Sequence, residues 1–151
     1  MTDWTIRRAG LADASPLTAC IDEAYSVYAG KGIDLPAVSD GIADEIQNNL
    51  VWVAVLEKQI VGGLVLITRE DDAVLVNVAV RPSATGSGLG RALVDQAEQE
   101  VRALGLGRIG LTTHVKMPEN VQLYEHLGWH ETGRVGNKVH MEKSLKTGIP
   151  E

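Results

Sequence analysis

An apolar strand that runs directly into a glycine-rich turn, Val78-Ala79-Val80-Arg81-Pro82-Ser83-Ala84-Thr85-Gly86-Ser87-Gly88-Leu89-Gly90-Arg91-Ala92-Leu93, limits what this chain can fold into more than any other feature. Beyond the turn, Leu89, Leu93, Ala97, Val101 and Leu104 recur close to a period of 3.6, so the turn opens a helix, and Gly105 and Gly107 end it. A further strand over 109–113 makes the unit a crossover, for which the right-handed form is expected. Glycines at the alternate positions 86, 88 and 90 let the backbone approach a ligand closely. Successive N–H groups at the start of a helix point outward, partly positive and without intrahelical partners, so a pyrophosphate fits there.

Spacing restricts whose pyrophosphate it is. A dinucleotide-binding turn needs GxGxxG, but counting from Gly86 puts Arg91 at the third glycine position, and no acidic residue closes a strand about twenty residues on. A Walker A loop needs Lys and then Ser or Thr after its last glycine, whereas Gly90 is followed by Arg91 and Ala92.

The segment instead resembles the acyl-CoA-binding motif of the GNAT superfamily of N-acyltransferases, Gln/Arg-x-x-Gly-x-Gly/Ala, with Thr85, Gly88 and Gly90 at the marked positions and Thr85 departing from the pattern. A second segment, Asn120-Val121-Gln122-Leu123-Tyr124-Glu125-His126-Leu127-Gly128-Trp129, resembles that family's later motif, in which an Asn and a Tyr one helical turn apart precede a Gly-aromatic pair.

The rest of the chain is read from its own patterns. Residues 4–8 alternate as a strand, and Asp13 is the expected N-cap of a helix carrying Leu17, Cys20, Ile21 and Ala24. Residues 30–36, broken by Gly and Pro, read as a loop; Ile42, Ile46 and Leu50 suggest a second helix. Strands over 51–56, 60–68 and 73–80 form a meander, with a hairpin turn at Glu57-Lys58-Gln59. A short helix over 120–127 stops at Gly128, a hairpin over 130–134 and 138–143 turns at Gly136-Asn137, and the tail from 147 reads as loose. The order β-α-α-β-β-β-α-β-α-β-β is that of the GNAT fold. The resemblance therefore implies a single α/β domain over 1–151, with a mixed, mostly antiparallel sheet of about seven strands, four helices and a split between the fourth and fifth strands.

Composition excludes more than it assigns. A length of 151 residues suits one domain with one sizeable core. The net charge of −6 without a basic run argues against a nucleic-acid surface. Neither a charged-then-apolar leader over 1–10 nor an apolar run near eighteen residues is visible, so the expectation is a cytoplasmic protein without a membrane partner. Cys20, the single cysteine, reads as a buried small hydrophobe. His126 and His130 are four apart, but Gly128 interrupts any shared helix, and no metal is expected.

The resemblance implies acetyl-CoA as cosubstrate and direct acyl transfer to an amine, on a small molecule or a protein amino group. The backbone of Gly86, Ser87, Gly88, Leu89, Gly90 and Arg91 would take the pyrophosphate, and that of Val78, Ala79 and Val80 the pantetheine arm, with an N–H near Val78 polarising the thioester carbonyl. Asn120 would contact the cofactor, although Asn also suits a helix N-cap. Tyr124 matches the general acid for the departing thiolate. Where many members carry a basic Glu on the fourth strand, this chain has Asn77, which cannot act as a base. His114 at the end of the next strand is the candidate, since histidine titrates near neutrality. Tyr25 and Tyr28 map to the acceptor pocket together with Asn77. Either Arg81 or Arg91 is expected to offset the missing cation at Thr85, or else CoA binds less tightly. A non-catalytic CoA-binding regulatory module with the same fold is the competing expectation, and a homodimer is compatible with both.

Overall fold

The computed structural model describes residues 4–29 and 41–145. Seven strands form one sheet: β1 (Thr5–Arg8), β2 (Leu50–Leu56), β3 (Gln59–Thr68), β4 (Ala73–Val80), β5 (Arg108–His114), β6 (His130–Val135) and β7 (Lys138–Ser144), in the order β1-β2-β3-β4-β5-β7-β6. All neighbours are antiparallel except β4 and β5. The helices are α1 (Ala14–Ala29), α2 (Ile42–Asn48), α3 (Leu89–Ala103) and α4 (Pro118–His126). This is the mixed, mostly antiparallel architecture expected above.

The split is visible in the register. β4 pairs with β5 only through Ala73↔Ile109, Val74↔Gly110 and Leu75↔Leu111, after which the strands part. β7 holds β5 along its whole length, from Arg108↔Ser144 to His114↔Lys138. At the parting point β4 carries a bulge: Val65 pairs with Asn77 and Leu66 with Leu75, leaving Val76 as the extra residue. An extra residue exchanges the faces of everything beyond it. Ala73 and Leu75 thus pack with Leu89, Leu93 and Ala97 of α3, whereas Ala79 joins Leu17, Cys20 and Ile21 of α1. Simple alternation would leave Asn77 on the α3 side; the bulge turns it to α1.

Both helices lie close on β3, and its adjacent glycines allow it. A Cβ on Gly62 would come within 2.9 Å of the Ala79 carbonyl and 3.0 Å of Leu89, and one on Gly63 within 2.6 Å of Leu17. On the buried face of α1, Cys20 is fully buried, and burial pushes its thiol up to about 11. It is a packing residue.

Several boundaries differ from the expectations. Asp13 closes a short 3₁₀ turn over Leu11–Asp13 rather than capping α1. Its carboxylate accepts from the Gly10 N–H at 2.7 Å and from Arg7 at 2.8 Å, and the Arg7 guanidinium holds it below its usual range. Leu50 belongs to β2, because α2 ends at Asn48 and Asn49 is already extended. The turn before β3 uses only Glu57 and Lys58, both with positive φ. α4 begins at Pro118, so Asn120 is its third residue and Met117 occupies the cap position. The C-terminus of α3 follows the expectation: Gly105 is left-handed, its N–H donates to Arg102 O, and the Leu106 N–H donates to Val101 O. The expected loop over 30–36 and the tail from 147 lie outside the described residues, as does the side chain of Tyr28.

Candidate active site

Where β4 and β5 part, two cavities meet. The larger, about 580 Å³, lies between the end of β4, the turn into α3 and one side of α4. Gly86 and Gly88 have φ of +81° and +85°, and a Cβ on either would meet nothing within 4 Å. The backbone is therefore exposed over both residues in a conformation that glycine alone adopts cheaply. Gly90 is already inside α3, where a Cβ would make an ordinary contact with Val80 at 3.8 Å. The hydroxyls of the turn face inward: Thr85 donates to Pro82 O and Ser87 to Ala84 O, each at 2.6 Å. Arg81 is committed elsewhere, donating to Ile60 O at 2.7 Å and pairing with Glu23. Of the two arginines expected to assist at Thr85, Arg91 is the one that borders this cavity without an ion pair to any described residue.

The smaller cavity, about 250 Å³, opens on the other side of the fork between β4, β5, β7 and α1. Tyr25, Val78, Met117, Asn120 and Tyr124 border both cavities, which makes them the junction. The Tyr25 hydroxyl donates to Asn77 Oδ1 at 3.2 Å and lies 3.4 Å from Val78 O, so α1 is tied to β4 just past the bulge. Asn77 is 7% exposed. His114 reaches the cavity from β5, directly opposite Lys138 of β7. Its Nδ1 accepts the Lys116 N–H at 3.0 Å. A neutral imidazole with Nδ1 accepting carries its proton on Nε2. The lone pair needed for the expected role as base is thus already occupied, and the ring offers an N–H donor instead.

Tyr124 is held from behind. Its ring, 9% exposed, packs on Trp129 with centroids 5.4 Å apart at 55°. The Trp129 Nε1–H donates to Glu98 Oε2 at 3.2 Å, while Lys143 Nζ donates to Glu98 Oε1 at 2.8 Å and to Leu127 O at 2.7 Å. A buried carboxylate with an indole and an ammonium on its two oxygens is satisfied, and fixes α3, α4 and β7 relative to one another. The sequence reading missed this network. Its available signal was Glu98 itself, four residues after Val94 on the buried side of α3. Met117, buried at the junction, had no signal beyond its place before Pro118.

Other candidates do not converge here. His126 ends α4 and His130 opens β6, on either side of the left-handed Gly128. Among the described residues no helix is long and apolar enough to cross a membrane.

Comparison with known proteins gives a consistent result. Residues 21–129 match the acetyltransferase (GNAT) family model. The chain is 28% identical over 136 residues to the uncharacterized N-acetyltransferase YjgM of Escherichia coli K12, which covers 83% of this chain and 72% of that one. It is 36% identical over 61 residues, 40% of this chain and 41% of the other, to the [ribosomal protein bS18]-alanine N-acetyltransferase of the same bacterium. In fold it is similar to the PaiA N-acetyltransferase of Thermoplasma acidophilum, solved in complex with coenzyme A. The TM-score is 0.86 at 19% identity, over 95% of this chain and 99% of that one.

Proposed function

The chain belongs to the GNAT family of acetyltransferases, and on that premise we propose that it moves an acetyl group from acetyl-CoA to an amine by direct attack within a ternary complex. The observation that carries this reading is the meeting of two cavities at Val78, Asn120 and Tyr124, one of them floored by open left-handed glycines.

Acetyl-CoA, when bound, supplies the acetyl group as a thioester. The N–H groups from Gly86 to Arg91, at the positive end of α3, receive the pyrophosphate, and Arg91 adds the cation absent at Thr85. The edge of Val78, Ala79 and Val80 is left without a β5 partner and pairs with the pantetheine arm as a strand would. An N–H near Val78 polarises the carbonyl. The amine nitrogen attacks that carbon, the C–S bond breaks, and the Tyr124 hydroxyl gives its proton to the leaving sulfur. Asn120, on the same face of α4 as Tyr124, orients the cofactor beside it. Tyr25 and Asn77 shape the acceptor side. With His114 Nδ1 engaged, the amine loses its proton to water in the cavity, so the rate follows the acceptor's own ionisation.

Calorimetric titration with acetyl-CoA, followed by thiol release in the presence of single amines, tests the proposal. Saturable binding with acceptor-dependent release supports it. Binding without release to any amine supports a regulatory CoA-binding module, and absence of binding overturns both.

A further inference from the structure

We infer that the acceptor carries a carboxylate close to its amine, as a free amino acid does, and that Lys138 with the Nε2–H of His114 binds it. This rests on the reading of the chain as an acetyltransferase and goes beyond it by naming the substrate class. Among the described residues the 250 Å³ cavity is bordered by no Asp or Glu, and Lys138 is the charged group on its wall. Lys138 makes no ion pair with a described residue, as is also true of Arg8, Lys58, Arg91 and Lys116; what distinguishes it is its place on the wall of a cavity that no described carboxylate borders. The overall charge of −6 therefore does not describe this cavity.

The register places Lys138 and His114 as cross-strand partners, and directly opposed side chains on one sheet face stand about 5 Å apart at Cβ. An ammonium with three donors beside an imidazole N–H is a set of donors with no acceptor between them. The neighbouring Thr112 hydroxyl is engaged with His140 Nδ1 at 2.9 Å. The rest of the wall mixes apolar Leu75, Val78, Leu111 and Met117 with the neutral polar groups of Asn77, Thr113 and Asn120. An anion in such surroundings is favoured when it meets charge-assisted donors, and a second ammonium is repelled. The cavity is also smaller than the roughly 300–1,000 Å³ of pockets that hold drug-sized ligands, so a compact acceptor fits.

The experiment uses the full chain with acetyl-CoA and each of the twenty amino acids, their decarboxylated amines and carboxamides, spermidine, and peptides with Asp at the second position. Thiol release gives kcat/KM, and calorimetry with the CoA-loaded chain gives acceptor binding. At least one amino acid or acidic peptide is expected to exceed its decarboxylated or amide counterpart by about tenfold, the scale of one charge-assisted contact. Lys138→Glu is expected to lower that value about tenfold and to raise it for the decarboxylated amine. Preference for the peptides would place the carboxylate on a polypeptide N-terminus; preference for the free amino acid, on a metabolite. The inference is overturned if spermidine or a simple amine is preferred, if Lys138→Glu leaves the preference unaltered, or if no carboxylate-bearing acceptor binds the CoA-loaded chain. In each of those cases retained acetyl-CoA binding with thiol release to another amine leaves the acetyltransferase reading standing. Loss of acetyl-CoA binding in the parent removes both.

Discussion

The two cavities at the fork are built from different parts of the polypeptide. The larger is a backbone site: Gly86 and Gly88 expose main-chain atoms, and the hydroxyls of Thr85 and Ser87 are turned into their own turn. The smaller is a side-chain site, assembled from Tyr25, Asn77, His114 and Lys138 on four separate elements. A backbone site tolerates changes of side chain provided the glycines stay, so one cosubstrate can be retained while the facing pocket changes its chemistry. The contrast makes opposite demands on mutation.

Tyr124 belongs to both cavities, and the largest effect is expected there. Tyr124→Phe removes only the hydroxyl and should lower kcat about a hundredfold, at the low end of the range for a general acid. Its packing on Trp129 keeps CoA affinity near that of the parent. Steady-state kinetics alongside calorimetry separates the two, and an unaltered kcat would make Tyr124 a wall of both sites and a reagent in neither. Gly88→Val attacks the backbone site directly. A branched side chain over this exposed backbone, which also resists the left-handed angle, should block close approach of the pyrophosphate and weaken CoA binding about tenfold or more. A folded variant, checked by circular dichroism, that binds CoA as the parent does would break the comparison. Thr85→Ala sharpens it from the other side. Because the hydroxyl donates to Pro82 O, its loss should change CoA affinity by no more than about threefold. A larger loss would mean that the side chain leaves its turn to bind the cofactor.

What could be read from the sequence follows the same division. The strand, the glycine turn and the helix after it are adjacent in the chain, and their chemistry depends on local backbone angles that glycine spacing reveals. The bulge at Val76 depends on how β4 meets β3, and alternation along residues 73–80 continues through it unbroken. The burial of Asn77 was legible, but not the face it occupies. His114 and Lys138 become neighbours only through the β5–β7 register, which no local pattern encodes. Leu50 continued a spacing of four from Ile42 and Ile46, yet the helix had already ended at Asn48. Asp13 had the right residue type for a cap, but Arg7 and the Gly10 N–H took its carboxylate.

Gly62 and Gly63 touch α3 and α1 respectively, on opposite faces of the same strand. α3 begins at the turn proposed for the pyrophosphate and α1 carries Tyr25 to the proposed acceptor side, so a single layer of main chain sets the spacing of the two helices. β3 therefore acts as a spacer of fixed gauge. A methyl group added on either face would push one substrate's wall away from the other's, and the distance over which the acyl group must pass would change without any residue of either pocket having been altered.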